Sequence, residues 1–375
     1  MDIRQKVKYA KRIVIKIGSS SITHSETGEL HLSKIEKLIR QIADLKGAGK
    51  EVVLVSSGAI ATGRHSLGIN EKPSTLSEKQ ALAAIGQARL IMEYRKLFSE
   101  YNLRIAQILM TKSTITNEIY RENAKATFTQ LLAYGAVPIV NENDTISTYE
   151  IQFGDNDRLS ALVSALVEAD LLILLSDIDG LYNKNPRKYE DANLIHMVGD
   201  INEDIKQMAG AEGSKFGTGG MITKIIAAEM VTKIGTSLVI ASGDDPKNIT
   251  RIVEKENIGT LFVKKNKKIS LRKYWLAYGP SKEGALTIDN GAKSALKNGK
   301  SLLSVGIKSV EGTFDKGAIV EIEDLKGKVI ATGISNYSSE EINLIKGEQS
   351  ENIEEILGYK YDDAVIHIDN VAMKK

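Results

Sequence analysis

The chain of 375 residues contains no cysteine. That excludes disulfides, thiolate metal sites and a cysteine nucleophile. Its five histidines, at 24, 31, 65, 196 and 367, show no ligand spacing, so no structural transition-metal site is expected. No apolar run approaches the roughly 18 to 20 residues of a membrane span. The N-terminus is basic, but its apolar run, Ile13 to Ile17, is too short for a signal peptide. A cytoplasmic location and no membrane partner are the expectations. A strong charge of either sign is also missing, since the formal net charge is +2. The charge is uneven, however. Residues 283–375 carry 11 lysines, no arginine and 16 acids, hence −5, and residues 1–282 carry 39 basic and 32 acidic residues, hence +7. Lys264, Lys265, Lys267, Lys268, Arg272 and Lys273 form a run with no acid nearby. It reads as a solvated hinge over 263–282, with a polyanion-binding arm as the alternative.

What is present is a repeated unit of strand, polar loop and helix. The length suggests two or three domains. Residues 12–17, 52–55, 104–110, 136–140, 171–175 and 237–241 read as strands, several of them wholly apolar, as in a parallel sheet buried on both faces. Helices are expected between them. One follows a Ser33/Glu36 capping box, and a long one follows Ser77/Gln80. The fold class is therefore α/β, a three-layer αβα sandwich with a largely parallel sheet. Polar loops that follow strands should gather at one edge of the sheet, where ligands of open α/β sheets bind.

Those loops hold the chemistry. Lys16 closes the first strand beside Gly18-Ser19-Ser20-Ser21, which reads either as an anion nest or as an ordinary turn. Ser56-Ser57-Gly58 follows the second strand. Asn141-Glu142-Asn143-Asp144 follows the fourth. In Phe153-Gly154-Asp155-Asn156-Asp157 any one of the last three would cap the next helix, but three together exceed what capping needs. Gly217-Thr218-Gly219-Gly220-Met221-Ile222-Thr223-Lys224 opens a helix whose apolar positions continue at 225, 226, 230 and 234. Free N–H groups, the positive end of a helix dipole and a lysine converge there, which suits a phosphate. It is neither the Walker loop, because Thr223 precedes the lysine, nor the dinucleotide fingerprint, because Ile222 occupies the third glycine's place. Past residue 283 the pattern changes to short strands at 285–288, 301–307, 318–322 and 328–334, with glycine turns between and a Ser338/Glu341 helix cap. This reads as a small β-rich domain.

Taken together, the loops resemble the amino acid kinase family. The pieces that match are Val14 to Ser20, Val55 to Ile60, Val140 to Asp144, Phe153 to Asp157, Ser176-Asp177 with Gly180-Leu181-Tyr182, and Gly217 to Lys224. Within the family they are most similar to enzymes that phosphorylate the side-chain carboxylate of L-glutamate. Ser301 to Ile307, with Gly312, Phe314 and Gly317, is similar to a PUA domain. The resemblance implies a catalytic domain over 1–262, the hinge, and a PUA domain over 283–375. It implies ATP-dependent formation of glutamyl 5-phosphate, the first step of proline synthesis. Carried over by position, Lys16 and Thr218, Gly219, Gly220, Met221, Ile222, Thr223 and Lys224 contact ATP, and Ser176 and Asp177 line its site. Ser56, Asp144 and Asn156 hold glutamate, and Asp157 positions the two lysines. No protein-held metal is implied; Mg²⁺ comes bound mainly through the nucleotide. Homo-oligomers and inhibition by L-proline are family expectations too. Relatives often carry a small polar residue at Ile222 and threonine at Ser176.

The chemistry suits these residue types. A carboxylate nucleophile is ionised at pH 7 and needs no general base, and none of the candidate loops contains a histidine. Repulsion between nucleophile and phosphate is the obstacle, and two lysines would offset it. The same apparatus would serve aspartate, N-acetylglutamate, carbamate or a nucleotide as acceptor. An RNA-binding protein is the reading from a different class. The acidic C-terminal domain opposes it, so no nucleic acid partner is expected.

Overall fold

A computed structural model describes residues 3–24, 26–111, 114–115, 117–146, 156–210, 220–265 and 282–374. Asp155, Gly217, Thr218, Gly219 and the distal part of the basic run (Lys267, Lys268, Arg272, Lys273) lie outside the described residues. The chain divides into two compact units, Met1–Lys268 and Ile269–Lys375.

The first unit is built on an eight-stranded sheet. Its strands are β1 (Arg12–Ile17), β2 (Glu51–Ser56), β3 (Ile105–Met110), β4 (Val137–Glu142), β5 (Leu171–Ser176), β6 (Met197–Val198), β7 (Ser237–Ser242) and β8 (Thr260–Phe262), in the order β3-β4-β2-β1-β5-β7-β8-β6. Every pairing is parallel except β7 with β8. The helices are α1 (Leu32–Gly47), α2 (Ala59–Ser66), α3 (Leu76–Ser99), α4 (Glu118–Ala133), α5 (Asn156–Leu166), α6 (Glu203–Gly210), α7 (Met221–Ile234) and α8 (Asn248–Val253).

Alternation along β1 sorts the layers, because successive side chains point to opposite faces. Ile13, Ile15 and Ile17 join the core formed with Ile35, Leu38 and Ile42 of α1, Tyr94 and Phe98 of α3, and Ile249 of α8. Val14 and Lys16 therefore take the other face, where α5 crosses β1, β5, β2 and β4. Both faces are covered, which explains the unbroken apolar strands and fits the expected three-layer sandwich.

Two helix starts differ from the sequence expectation. α1 begins at Leu32 with His31 as its N-cap and no side-chain cap. Glu36, the expected capping partner of Ser33, instead accepts hydrogen bonds from Tyr101 Oη at 2.5 Å and Arg40 at 2.8 Å. α3 starts one residue ahead of Ser77, on a Thr75/Glu78 capping box, and Glu78 also accepts from the Ser74 amide. α2 and α3 pack unusually closely. A Cβ on Gly86 would stand 1.7 Å from the Ala59 carbonyl oxygen, and one on Gly63 would stand 2.0 Å from that of Leu82. Only glycine fits either position.

The second unit has a five-stranded sheet, β11-β9-β12-β13-β15, and a two-stranded one, β10-β14. Its strands are β9 (Gly284–Ile288), β10 (Leu302–Leu303), β11 (Ile307–Glu311), β12 (Ile319–Asp324), β13 (Val329–Ile334), β14 (Ala364–Ile366) and β15 (Val371–Met373). The single strand expected over 301–307 is two strands split by a 3₁₀ turn at Ser304–Gly306. The Ser338/Glu341 capping box is present, opening the helix at Ser339–Ile345. Leu286, Ile288, Val320, Ile322, Ile342 and Val365 lie in the buried core. Among the described residues no helix is long and apolar enough to cross a membrane.

Candidate active site

Three of the four charged side chains buried in the described part of the first unit form one triad; the fourth is Glu142. Lys16 is 8% exposed, Lys224 4% and Asp157 0%. Lys16 stands at the carboxyl end of β1, on the face that meets α5. Asp157 lies in the first turn of α5, where a carboxylate is favoured by the helix dipole. Lys224 lies in the first turn of α7, which packs on α5. Lys224 Nζ donates to Asp157 Oδ2 at 3.1 Å, and the Thr223 hydroxyl reaches the same oxygen at 2.8 Å. Lys16 Nζ is 2.6 Å from Oδ1, an ion pair outside aligned hydrogen-bond geometry. Burial pushes the Asp157 carboxyl up, but the charges of Lys16 and Lys224, helped by the Thr223 hydroxyl, prevail and hold it below the usual carboxylate range. A cation in the first turn of a helix opposes the dipole, and α7 has no acid of its own there. Asp157 supplies the missing charge. The triad still carries a net charge of +1.

Two pockets flank it. The first, about 640 Å³, is lined by Lys224, Met221 and Gly220 together with Asp177, Tyr182 and Arg187. Gly220 is the N-cap of α7 and provides no side-chain cap, and the start of a helix favours an anion. The second, about 690 Å³, is lined by Ser57, Gly58, Asn141, Asp144 and Asn156, with Arg64 among the cations at its wall. Asn156 is its hub. Its Nδ2 donates to the Ser57 hydroxyl at 2.7 Å, the Ser56 carbonyl at 3.1 Å and Asn141 Oδ1 at 3.2 Å. Asn141 Nδ2 donates in turn to Gln87 of α3 at 2.8 Å. Burial raises the Asp144 carboxyl to about 6. The triad joins the pockets, since Asn156 of the second is followed by Asp157, which bonds Lys224 of the first.

Comparison with known proteins gives the family. The amino acid kinase family matches residues 11–242, and the PUA domain matches residues 284–357. The chain belongs to the amino acid kinase family. Among its relatives is the glutamate 5-kinase of Carboxydothermus hydrogenoformans, 50% identical over 99% of this chain and 100% of that protein. Those of Geobacter sp. and Caldanaerobacter subterraneus subsp. tengcongensis are 45% and 49% identical, over 99% and 96% of this chain and 99% and 97% of theirs. Among solved structures, the UMP kinase of Bacillus anthracis aligns with a TM-score of 0.48 at 14% identity, over 68% of this chain and 96% of that one.

Within this amino acid kinase, most of the residues expected from the sequence converge. Lys16, Asp157, Lys224 and Thr223 meet directly. Gly220, Met221 and Asp177 line the first pocket, while the side chain of Ile222 is 40% exposed. The Ser176 hydroxyl donates to Asp177 Oδ1 at 3.0 Å. Asp144 and Asn156 line the second pocket. Ser56 is not brought there. It is fully buried, and its hydroxyl pairs with Tyr94 Oη at 2.8 Å. The pocket serine is Ser57. Alternation puts Ser56 on the face of Leu54, but both faces of the sheet are buried, and only the packing of Leu54 in the core beside Tyr94 shows which way that face turns. Ser19 of the first loop lines the second pocket, while Ser21 is buried. Arg187 was missed, and Tyr182 was noted only as part of the family match, because both sit in an irregular loop. That loop is held by cross-links such as Asn193 N to Asn183 Oδ1 at 2.8 Å, which leave no periodic signal.

Proposed function

We propose that this protein is a glutamate 5-kinase: it transfers the γ-phosphoryl group of ATP to the side-chain carboxylate of L-glutamate, giving glutamyl 5-phosphate and ADP. One observation carries the reading: a buried Lys–Asp–Lys triad of net charge +1 between a nucleotide-sized pocket and a polar pocket with an acid in it. A buried net charge is costly unless a counter-charge arrives. A phosphoryl group in transit between two anionic partners is such a charge.

In this reading ATP lies in the first pocket, with its phosphates at the uncapped start of α7 and beside Lys224. Glutamate lies in the second. Asp144 faces its ammonium group, with Ser57, Asn141 and Asn156 around the chain. The carboxylate attacks the γ-phosphorus in line, the bond to the ADP oxygen breaks, and both electrons of that bond leave with ADP. No base is needed, because the nucleophile is already ionised. Lys16 and Lys224 offset the charge gathered at the phosphorus, and Asp157 keeps both ammonium groups charged and aimed. The described residues hold no group of three or more His, Asp or Glu that could bind a metal. Mg²⁺ would be carried on the nucleotide phosphates. Glutamyl 5-phosphate leads towards proline, so L-proline is the expected inhibitor, and a homo-oligomer is the expected form.

Hydroxylamine traps acyl phosphates, so hydroxamate formation tests the reading. With ATP, glutamate should yield hydroxamate, whereas aspartate, N-acetylglutamate and a no-acceptor control should not. Signal from another acid would replace the substrate. No signal from folded, ATP-binding protein would overturn the assignment.

A further inference from the structure

The family resemblance counts Thr223 among the nucleotide contacts, but its hydroxyl is turned elsewhere. Oγ1 lies 2.8 Å from Asp157 Oδ2 and 2.7 Å from the carbonyl oxygen of Gly220, three residues back along the chain. Both of these atoms are acceptors, and a hydroxyl has one proton to give. The ionised carboxylate is the stronger acceptor, because charge-assisted hydrogen bonds are shorter and roughly twice as strong as neutral ones. While the proton is directed at Asp157, Thr223 has nothing to offer a phosphate, whose oxygens also only accept.

The contacts around Asp157 are lopsided. Oδ2 receives two aligned donors from one turn of α7, Thr223 and Lys224. Oδ1 meets Lys16 at 2.6 Å without hydrogen-bond alignment. Holding one oxygen from two directions fixes the rotation of the carboxylate, and so fixes where Oδ1 stands against Lys16. The branched Thr223 side chain is itself restricted at χ1. At most one of the three ammonium protons of Lys16 can face Oδ1, so the others can turn to an incoming phosphoryl group.

We infer that Thr223 is a positioning residue for phosphoryl transfer: its hydroxyl orients the Asp157 carboxylate that aims Lys16 and Lys224, and it is not a nucleotide ligand. The inference rests on the kinase reading above. The test is a comparison of full-length Thr223→Val and Thr223→Ser with the wild type. Thr223→Val should lower kcat about tenfold while KM for ATP changes less than about twofold, as for loss of one hydrogen bond to a charged group. It should also move the acid limb of the kcat–pH profile to higher pH, because a donor that favours the ionised carboxylate is gone. Thr223→Ser should recover to within about threefold of the wild type. In an Asp157→Asn background, Thr223→Val should cost little more, because both changes act through one group.

A raised KM for ATP with kcat and pH profile unchanged would overturn the inference in favour of a nucleotide contact. So would a serine variant as slow as the valine one, since the loss would then be one of packing. Titration of the Asp157 carboxyl by NMR separates the two levels of the argument. An equal midpoint in wild type and Thr223→Val overturns the placement whatever the activity, whereas a wild type that forms no hydroxamate overturns the function. If Thr223→Val fails to fold, Thr223→Ala carries the same comparison.

Discussion

Asp157 and Asp144 lie at the same edge of one sheet, and burial pushes both carboxyl groups upward. Asp157 nevertheless ends below the ordinary range, because Lys16 and Lys224 stand against it. Asp144 ends at about 6, raised by desolvation in its half-buried position. A buried acid with resident cations is ionised before any substrate arrives and can hold an electrostatic framework. Asp144, half-buried with its carboxyl raised, gains most from a cation brought directly against it, and in the proposed reaction the ammonium of glutamate is that cation. Residue type is thus the same in the two regions, but Asp157 is fully buried while Asp144 is half-buried, and their partners differ as well.

The largest expected effect comes from breaking the resident side. Asp157→Ala leaves two buried ammonium groups without a counter-charge. Turnover should fall by about a thousandfold and stability by about 3–5 kcal/mol, read from hydroxamate kinetics and a denaturant titration. If both stay near wild type, the triad is not the framework proposed. Next comes the Asp144 side. Asp144→Ala should raise KM for glutamate roughly a hundredfold and leave KM for ATP nearly unchanged. The wild-type kcat/KM for glutamate should show an acid limb near pH 6, since Asp144 becomes neutral as the pH falls through about 6. Asp144→Asn should abolish that limb. The kcat at saturating glutamate should not share it, because Asp157 stays ionised well below that pH.

Gly86→Ala sharpens the comparison through packing. In an ordinary helix the change would be favourable by about 1 kcal/mol. Here the new Cβ meets the Ala59 carbonyl at the start of α2, beside Gly58 of the second pocket, the proposed glutamate site. A loss of about 1–3 kcal/mol in stability is expected, with KM for glutamate raised and KM for ATP spared. The smallest effects separate the adjacent serines. Ser57→Ala should raise KM for glutamate a few-fold, about 1 kcal/mol. Ser56→Ala should instead lower stability by about 1–3 kcal/mol, by stranding the buried Tyr94 hydroxyl, with KM unchanged. Equal kinetic effects from both would contradict the geometry at the end of β2.

The serine pair also shows how far the sequence was legible. Strand, loop and helix are local patterns, so β1, β2, β4, β5 and β7 appear nearly where their apolar runs place them. The motif at Val55–Gly58 marks the loop as functional but presents two serines. Only the core above Leu54, contributed by Tyr94 from another helix, shows that Ser56 faces inward. The Ser33/Glu36 and Ser77/Gln80 boxes misplaced two helix starts for a related reason. Capping patterns recur by chance, and Glu36 is taken by Tyr101, a partner far along the chain. β6 and β8 are too short to show any periodicity.

By itself, then, the sequence determined the α/β class, the side of the sheet on which the polar loops collect, the family, and the residues that carry charge. Those follow from periodicity and residue chemistry, which are properties of neighbours along the chain. The tertiary structure alone decided that Asp157 stands between Lys16 and Lys224, that Thr223 turns to Asp157, that Ser57 and not Ser56 reaches the pocket, and that two aspartates titrate in opposite directions. Each of these depends on desolvation and on Coulomb interactions. Both are set by distance through space, whatever the separation along the chain.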